Sequence, residues 1–396
     1  MLIRELSEVS REVGEISYDA VVIHYGEVTL KRSKRGLFER ILAENLKKFT
    51  GAKVKRLQGR FVIELTSEIS LEDLLNKIGR VFGVVWYAPA IKSSSLEELE
   101  ARILEILRSM NLRKIKIDTR RSDKSFPMTS LDVSRKLGAE IRSKLGLKID
   151  LKNPDKTIFI EITEDGIYAS FEKLRGPGGL PIGSSGRILG LFSGANSALA
   201  CWYMMKRGCH VDLLHVCESS LEEFFKSDLK TLIDKLLEYS LTSKLYLVSF
   251  DIFKDFSRSV PEGIREILFT LFLLRIGEAV AEKVGYLGLV TGFSAFSESD
   301  FNRLCTLLRF RRLPIYTPLL ALEEQEIKDR MRELGLPLRG EFSERFSREV
   351  EGDVVEEYWM RCGMDEAVKQ ALDELRIFRL RLGEEPVEMR RQRVGL

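Results

Sequence analysis

Residues 175–197 read RGPGGLPIGSSGRILGLFSGANS, and the character of the chain changes within them. Glycine and proline recur throughout Arg175–Gly186, which excludes a helix or a long strand and indicates a linker. Arg187–Phe192 is an apolar run that predicts a buried strand, and Ala198–Lys206 predicts a helix. The loop between them, Ser193–Ser197, therefore opens a helix whose backbone N–H groups, together with two serine hydroxyls, can donate hydrogen bonds to a phosphate.

The pattern beyond this loop alternates between strand and helix. Strands are predicted at Val211–Val216, Lys244–Phe250 and Leu287–Thr291, and helices at Leu221–Tyr239 and Glu262–Val284. Repeated β-α-β units predict a doubly wound domain whose parallel sheet is covered by helices on both faces. Ligands of such sheets bind beyond the carboxyl ends of the strands, which is where the loop lies.

Two further units precede the linker, so we predict an α/β multidomain protein. The first unit has the order βαββαβ of a ferredoxin-like split βαβ unit, with a strand at Asp19–Tyr25 and a helix at Arg35–Phe49. The second unit has an amphipathic helix at Ser95–Met110, a strand at Lys114–Thr119 and a hairpin around Glu164-Asp165-Gly166.

Composition narrows the functional classes. The 396 residues are 44% hydrophobic and 31% charged, which is typical of packed domains rather than of disorder. No apolar run approaches the ~20 residues that span a bilayer, and residues 1–17 lack the apolar stretch of a signal peptide. We therefore expect a cytoplasmic protein with no membrane partner. The five cysteines form no C-x-x-C pair, so no metal site is predicted.

Charge is distributed unevenly along the chain. Residues 1–186 carry 33 basic and 26 acidic side chains, a balance of +7, whereas residues 187–396 have a balance of −4. A basic first half is able to dock RNA, although a solvated lysine-rich surface gives the same balance. The predicted RNA-binding residues precede a helix or crowd the end of a strand: Lys31, Arg32, Lys34, Arg35, Arg120, Arg121 and Lys124.

Several motifs together resemble those of the tRNA 4-thiouridine synthetase family. They are His24–Lys31 (HYGEVTLK), Arg120–Pro127 (RRSDKSFP), Asp150–Asp155 (DLKNPD), Gly176–Gly186 (GPGGLPIGSSG), Tyr203–Gly208 (YMMKRG), Thr291-Gly292 and Pro314–Leu319 (PIYTPL). The resemblance covers roughly residues 18 to 340.

The resemblance implies a division of the chain into functional domains. It places a ferredoxin-like domain at residues 1–90, a THUMP RNA-binding domain at 91–175, the linker at 176–186 and a PP-loop domain of the adenine nucleotide alpha-hydrolase type at 187–343. Residues 344–396 remain as a charged helical tail.

The resemblance also implies a reaction. In the family, the first two domains grip tRNA, and the third uses ATP to adenylate the oxygen at C4 of uridine 8 before sulfur displaces AMP. It further implies Mg²⁺ as a cofactor. Besides tRNA, the expected partners are an external sulfur donor and a second copy of the chain. Nucleotide-binding residues follow by position: Ser193, Gly194, Ala195, Asn196, Ser197, Thr291 and Gly292.

The chain departs from the family pattern at the loop and at the sulfur carriers. The family loop is usually S-G-G-x-D-S, so Ala195 adds a methyl group and Asn196 removes a charge, which predicts weak ATP binding. Residues 263–275 and 335–346 lack the cysteines that relatives use, so no iron–sulfur cluster is predicted. Asn196 and Cys217 are the candidate catalytic residues, although a buried structural thiol is the alternative for Cys217.

Two functional hypotheses therefore stand. One is an ATP-dependent tRNA sulfurtransferase that tolerates Asn196 and takes sulfur from outside. The other is a catalytically impaired tRNA-binding paralogue, or a partner of an active homologue. The first requires nucleotide binding at Ser193–Ser197, whereas the second requires only RNA binding by residues 1–186.

Overall fold

The computed structural model describes residues 16–27, 34–295, 298–337 and 352–390. The chain divides into two compact units between Pro181 and Ile182, here called the N-terminal and C-terminal units. Within the described ranges, no helix has the length and apolar character needed to cross a membrane.

The described part of the N-terminal unit contains nine strands and four helices. The strands are β1 (Ala20–Tyr25), β2 (Lys55–Leu57), β3 (Arg60–Glu64), β4 (Val84–Ser93), β5 (Lys114–Arg121), β6 (Lys148–Ile149), β7 (Lys156–Thr163), β8 (Gly166–Ser170) and β9 (Leu174–Arg175). The helices are α1 (Arg35–Thr50), α2 (Leu71–Ile78), α3 (Leu96–Ser109) and α4 (Ser130–Leu145). The strands form one sheet in the order β2-β3-β1-β4-β8-β7-β5-β6, and β9 pairs with β4.

Strand β4 belongs to both predicted N-terminal domains. Its residues up to Ala90 pair with β1, and Ile91–Ser93 pair with β8. The predicted boundary between residues 90 and 91 thus falls inside a continuous strand. Alternate residues of the strands face the helices and form two cores, one with α1 and α2 and the other with α3 and α4.

A buried carboxylate lies on the sheet face opposite the helices. Glu161 of β7 is 4% exposed and accepts hydrogen bonds from His24 Nε2 of β1 at 2.9 Å and from Arg60 of β3. Burial raises the pKa of Glu161, but the hydrogen bond from His24 and the charge of Arg60 outweigh it and lower that pKa. His24 also stacks on Trp86 of β4 with 3.7 Å between ring centroids. This cluster ties β7 to β1 and β3.

The C-terminal unit contains seven described strands. They are β10 (Arg187–Leu191), β11 (His210–Cys217), β12 (Thr242–Ser249), β13 (Leu289–Val290), β14 (Ile315–Tyr316), β15 (Arg376–Arg381) and β16 (Val387–Glu388). The described helices are α5 (Ala195–Lys206), α6 (Leu221–Phe224), α7 (Asp228–Ser240), α8 (Phe250–Phe256), α9 (Glu262–Val284), α10 (Glu298–Arg309), α11 (Glu324–Leu334), α12 (Gly352–Arg361) and α13 (Met364–Glu374).

The sheet order is β14-β13-β10-β11-β12-β15-β16. The first five strands are parallel, which confirms the predicted doubly wound sheet. Helices α7 and α11 both pack against α5 and form one group. The second group is centred on α13, which contacts α8, α9 and α12. The carboxyl ends of the parallel strands thus meet at one edge, where Ser193 follows β10 and Thr291 follows β13.

The segment expected to be a charged helical tail is not helical throughout. Helices α12 and α13 pack their apolar residues into the core of the unit. Beyond them, β15 pairs antiparallel with β12 from Arg376 to Arg381. Its sequence RIFRLR exposes three arginines and buries Ile377, Phe378 and Leu380, a strand pattern that the high charge of the segment conceals.

Asp212 lies near the amino end of β11, at the end of the parallel strands opposite to Ser193 and Thr291, and it is fully buried. Its carboxylate accepts from Arg187 Nη2 at 2.7 Å, from the Tyr286 hydroxyl at 2.6 Å and from the backbone N–H of Lys244 at 2.7 Å. Burial raises the pKa of Asp212, but its contact with His210 and these hydrogen bonds outweigh burial and hold the pKa below its ordinary value.

We expect Asp212→Asn to destabilise the C-terminal unit. Because Arg187 is partly exposed, the cost lies below that of a fully buried ion pair. Loss of hydrogen bonds to a charged group typically costs ~1.5–3 kcal/mol, which corresponds to a Tm decrease of roughly 5–10 °C. Because the folded pKa lies below the unfolded value of ~3.9, the stabilisation is complete above that pH and is lost as pH falls towards the folded pKa. Thermal unfolding at pH 7 and pH 3 is the measurement, and the difference between variant and wild type shrinks at pH 3.

The matched control is Asp234→Asn, because Asp234 is half-exposed and pairs with Lys230 only one helical turn away. This variant is expected to leave the Tm nearly unchanged. Equal Tm changes for the two variants would contradict the assignment of stabilisation to the Asp212 cluster.

Candidate nucleotide and RNA sites

The loop Ser193–Ser197 lies where β10 ends and α5 begins. Gly190 of β10 allows the helix to approach closely, because a Cβ atom there would lie 2.5 Å from the Cys201 sulfur of α5. The sequence therefore places the first turn of α5 directly at the carboxyl edge of the sheet. The partial positive charge of that helix terminus favours an anion.

Ser197 organises the loop from within. Its Oγ accepts hydrogen bonds from the backbone N–H groups of Ser193 at 2.9 Å and Gly194 at 3.0 Å. It donates in turn to the carbonyl oxygen of Gly194 at 2.8 Å, and the residue is 1% exposed. The Ser197 hydroxyl thus holds the loop in shape, whereas Ser193 is partly exposed and its contact with a phosphate stays a prediction.

The two substituted loop positions have different surroundings. Ala195 is 3% exposed, so its methyl group is buried and does not narrow the outer surface of the loop. Asn196 is exposed in the first turn of α5. The first N–H groups of a helix have no intrahelical acceptor and remain open to a ligand. Asn196, which stands where the family loop has Asp, therefore changes the charge of the site more than its shape.

The segment Thr291-Gly292 forms the neighbouring wall of the site. A Cβ atom on Gly292 would lie 2.4 Å from the backbone nitrogen of Ser197 and 2.6 Å from the carbonyl carbon of Asn196. Thr291 is 3% exposed, and its Oγ1 is buried without a hydrogen-bond partner. A buried hydroxyl without a partner is costly, so one beside a phosphate-type loop indicates a ligand or water that binds there. The structure thus brings together all seven predicted nucleotide-binding residues.

His215 is a residue of this edge that sequence reasoning missed. Its Nδ1 lies 2.8 Å from the carbonyl oxygen of Phe192, the residue before the loop. Burial lowers the pKa of His215 to about 4, so the ring is neutral at pH 7 and Nδ1–H donates to that carbonyl. The chain has only three histidines. His215 lies near the carboxyl end of the predicted strand Val211–Val216, and this position was the signal in the sequence that could have identified it as a site residue.

Cys217 ends β11 at the same edge and is buried. Its thiol donates to the carbonyl oxygen of Ser219 at 3.1 Å. These contacts favour the structural alternative for this cysteine over a role as a sulfur carrier.

The predicted RNA-binding residues of the N-terminal unit fall into two groups. Arg120, Lys124 and Lys34 are exposed. Arg121 instead donates to the carbonyl oxygens of Phe126 at 2.9 Å and Met128 at 2.8 Å, and it therefore holds the loop that carries Lys124.

Arg35 also has a structural contact, because its Nε donates to the buried carboxylate of Glu39 at 2.7 Å. Lys31 and Arg32 lie outside the described residues, so their predicted role stays a prediction.

Comparison with known proteins agrees with this organisation. Three family models match the chain: the ThiI ferredoxin-like domain at residues 20–88, the THUMP domain at 93–172 and the thiamine biosynthesis protein ThiI at 183–338. A probable tRNA sulfurtransferase of Brevibacillus brevis is 32% identical over 81% of this chain and 83% of the relative. One of Methanocaldococcus jannaschii is 30% identical over 81% of this chain and 89% of the relative. The chain belongs to the tRNA sulfurtransferase family.

Solved structures show the same fold as this family member. The crystal structure of PH1313 from Pyrococcus horikoshii Ot3 is 29% identical, with a TM-score of 0.64 over 80% of this chain and 100% of that chain. A 4-thiouridine synthetase, crystallised as an RNA complex with bound ATP, is 23% identical, with a TM-score of 0.80 over 92% of this chain and 100% of that chain. The likeness of the second structure supports the fold alone.

We expect Gly292→Ala to disrupt the wall of the nucleotide site. The added methyl group meets backbone atoms of Asn196 and Ser197, which cannot move without shifting the first turn of α5. Overpacking of this kind typically costs ~1–3 kcal/mol. Thermal unfolding and calorimetric titration with ATP and Mg²⁺ are the measurements, and both the Tm and the ATP affinity decrease.

Gly194→Ala is the contrasting variant. Its φ of 163° is extended backbone that any residue adopts, and its added Cβ meets no atom within 4 Å. The Tm is therefore expected to stay unchanged while ATP affinity falls, because the methyl group intrudes only on a bound phosphate. An unchanged ATP affinity in both variants would place the nucleotide elsewhere.

Proposed function

We propose that this family member adenylates the uridine at position 8 of tRNA with ATP and then exchanges the activated oxygen for sulfur. The observation that carries the proposal is the buried, unpartnered Thr291 hydroxyl beside the loop at Ser193–Ser197, in a chain whose relatives are named tRNA sulfurtransferases. Within the described residues, nothing favours the non-catalytic alternative.

The proposed reaction has two steps. The oxygen at C4 of the uridine attacks the α-phosphorus of ATP, and pyrophosphate leaves. The sulfur of the donor then attacks C4, and AMP leaves with the original oxygen. The first step converts a poor leaving group into a good one, so the protein must mainly hold phosphates and exclude competing water.

The described residues supply the groups that such a step requires. In this proposal, the phosphates bind at the N–H groups of the first turn of α5 and at the hydroxyl of Ser193. The buried, unpartnered hydroxyl of Thr291 supports it from the adjacent wall. Ser197 and His215 keep the loop and the preceding carbonyl in place. Preorganised donors of this kind stabilise the charge that develops in the transition state.

Mg²⁺ fits this site as an ion that arrives with ATP. The described residues contain no cluster of three or more metal-ligating side chains. Mg²⁺ commonly binds substrate phosphates and keeps most of its waters, and when bound it neutralises the charge of the phosphates. Asn196 offers it an amide oxygen rather than a carboxylate, so we expect weaker Mg²⁺-dependent ATP binding than an acidic loop gives.

The sulfur donor in this proposal is external. Burial raises the pKa of the Cys201 thiol to about 12 and also raises that of Cys209, so both thiols stay protonated and unreactive. The Cys217 thiol is buried and hydrogen-bonded. By resemblance the protein also acts as a homodimer, and its tRNA substrate implies a cytoplasmic location.

The activity test uses tRNA, ATP, Mg²⁺ and sulfide. Wild-type protein is expected to form 4-thiouridine, and Asn196→Asp to raise the rate by up to ~100-fold, because a carboxylate restores a preorganised charge. Asn196→Ala is the matched control, which lacks both charge and amide and is expected to be slower than wild type. Pyrophosphate release without 4-thiouridine isolates the adenylation step. Failure of both wild type and Asn196→Asp to release pyrophosphate would contradict the enzyme and leave a tRNA-binding protein.

A second test concerns tRNA binding by the N-terminal unit. Arg120→Glu combined with Lys124→Glu is expected to weaken tRNA binding at least tenfold and to flatten its dependence on salt, because two phosphate contacts are lost. Arg121 is left intact because it holds the loop. The control pair is Lys136→Glu with Lys144→Glu, on exposed positions of α4 that pair with Glu97 and Glu100. Equal affinity of both double variants would exclude the Arg120 surface.

A further inference from the structure

Lys173 lies between two aromatic rings on the helix-free face of the N-terminal sheet. Its Nζ is 3.6 Å from the ring centroid of Phe159 on β7 and 4.2 Å from that of Trp86 on β4. All three side chains are partly exposed. We call these three residues the aromatic slot. It stands next to the buried cluster of Glu161, because His24 stacks on the same Trp86.

The cation in the aromatic slot has no acidic partner of its own. Glu161 is committed to His24 and Arg60, and no carboxylate of the described residues forms an ion pair with Lys173. Burial, and next the nearby charge of Arg120, lower the pKa of Lys173. The charges of Asp118 and Glu161 act in the opposite direction but do not outweigh burial and Arg120. An anion such as a phosphate would therefore stabilise the two cations, Lys173 and Arg120.

The face below the aromatic slot contains a further unused donor. Arg60 is 6% exposed, and its Nε is buried without a hydrogen-bond partner, although its other end pairs with Glu161. An unsatisfied buried donor is costly and indicates a site that water or a ligand completes. The aromatic slot and its surroundings thus combine two ring faces, the cations Lys173 and Arg120, and the unsatisfied Nε of Arg60.

We propose that the aromatic slot binds one unpaired nucleotide of RNA, with its base stacked on Trp86 or Phe159 and its phosphate held by Lys173 and Arg120. This inference rests on the proposed binding of tRNA by the N-terminal unit and adds a binding mode to it. Lys173 leaves its place between the rings when the base enters, since its flexible stem allows the ammonium group to follow the phosphate.

The chemistry of the aromatic slot favours an unpaired nucleotide over a duplex. Bases within a duplex already stack on each other and do not offer a free face, whereas unpaired bases stack on aromatic side chains exposed on a sheet. Each such stack is worth roughly a tenfold or greater change in affinity. The basic residues at Arg120 and Lys124 alone would bind a duplex backbone equally well, so the two rings are the distinguishing feature.

The test measures binding of a ten-nucleotide oligoadenylate that contains one 2-aminopurine, a ten-base-pair RNA duplex, and unmodified tRNA. Phe159→Leu removes one ring, and Phe159→Tyr retains it. Lys173→Gln removes the cation, and Lys136→Gln on the helix-covered side is its matched charge control. Thermal unfolding of each full-length variant verifies that the fold is intact.

The expected results separate stacking from charge. Wild type, Phe159→Tyr and Lys136→Gln bind oligoadenylate within about twofold of each other and quench 2-aminopurine fluorescence, as a stacked base does. Phe159→Leu binds it about tenfold more weakly and loses most of the quenching. Lys173→Gln weakens binding and reduces the salt slope by about 0.7, the value for one phosphate contact on a single strand. Duplex binding is the same for wild type and Phe159→Leu.

Two failures are distinguishable. If wild type binds tRNA but not oligoadenylate, or if Phe159→Leu and Lys173→Gln both bind oligoadenylate as wild type does, the aromatic slot is not a nucleotide site and the proposed function stands. If wild type binds no tRNA at all, the proposed function itself is contradicted.

Discussion

The carboxylate of Glu161 is the constraint on which the N-terminal unit depends. It is contributed by β7 and accepts hydrogen bonds from β1 and β3, so it joins strands that the sheet order keeps apart. A buried charge of this kind is tolerated only when its partners are well placed. The pair itself adds little to the free energy of unfolding, but removal of one partner leaves an uncompensated charge and is strongly destabilising. His24, which donates to that carboxylate, also stacks on Trp86 and thereby orients its ring. One acidic residue therefore links the packing of two domains to the surface that we propose for RNA.

In the C-terminal unit, two glycines allow the close packing that shapes the nucleotide site. Gly190 and Gly292 each face atoms that a Cβ would approach to 2.5 Å or less, on either side of the phosphate-type loop. The loop itself is held by one hydroxyl, that of Ser197, which satisfies two N–H groups at once. This scaffold tolerates the methyl group of Ala195, which is buried within it. The shape of the site is thus independent of the charge that Asn196 lacks, and the two properties are free to change separately.

The sequence predicted the local elements well and the long-range contacts poorly. The apolar run at Arg187–Phe192 and the turn after it identify a strand and a helix start from short-range pattern alone. By contrast, the partner of His24 lies 137 residues away, and nothing local indicates that Glu161 is buried. Arg121 looked like an RNA contact because its sequence context is basic, but its acceptors are backbone carbonyls that only a folded loop provides. Strand β15 was missed because three arginines among its six residues, at positions 376, 379 and 381, conceal its apolar residues.

Strand β15 has a consequence for biosynthesis. It is made after the other strands of the parallel sheet and yet covers the edge of β12, which lies in the interior of the completed sheet. While the ribosome is still translating α12 and α13, the N–H and C=O groups of β12 are open to any extended chain nearby. The C-terminal unit therefore cannot close its sheet during synthesis until residue 381 has emerged. Until β15 pairs with β12, that open edge is a template on which another extended chain can pair, which favours aggregation.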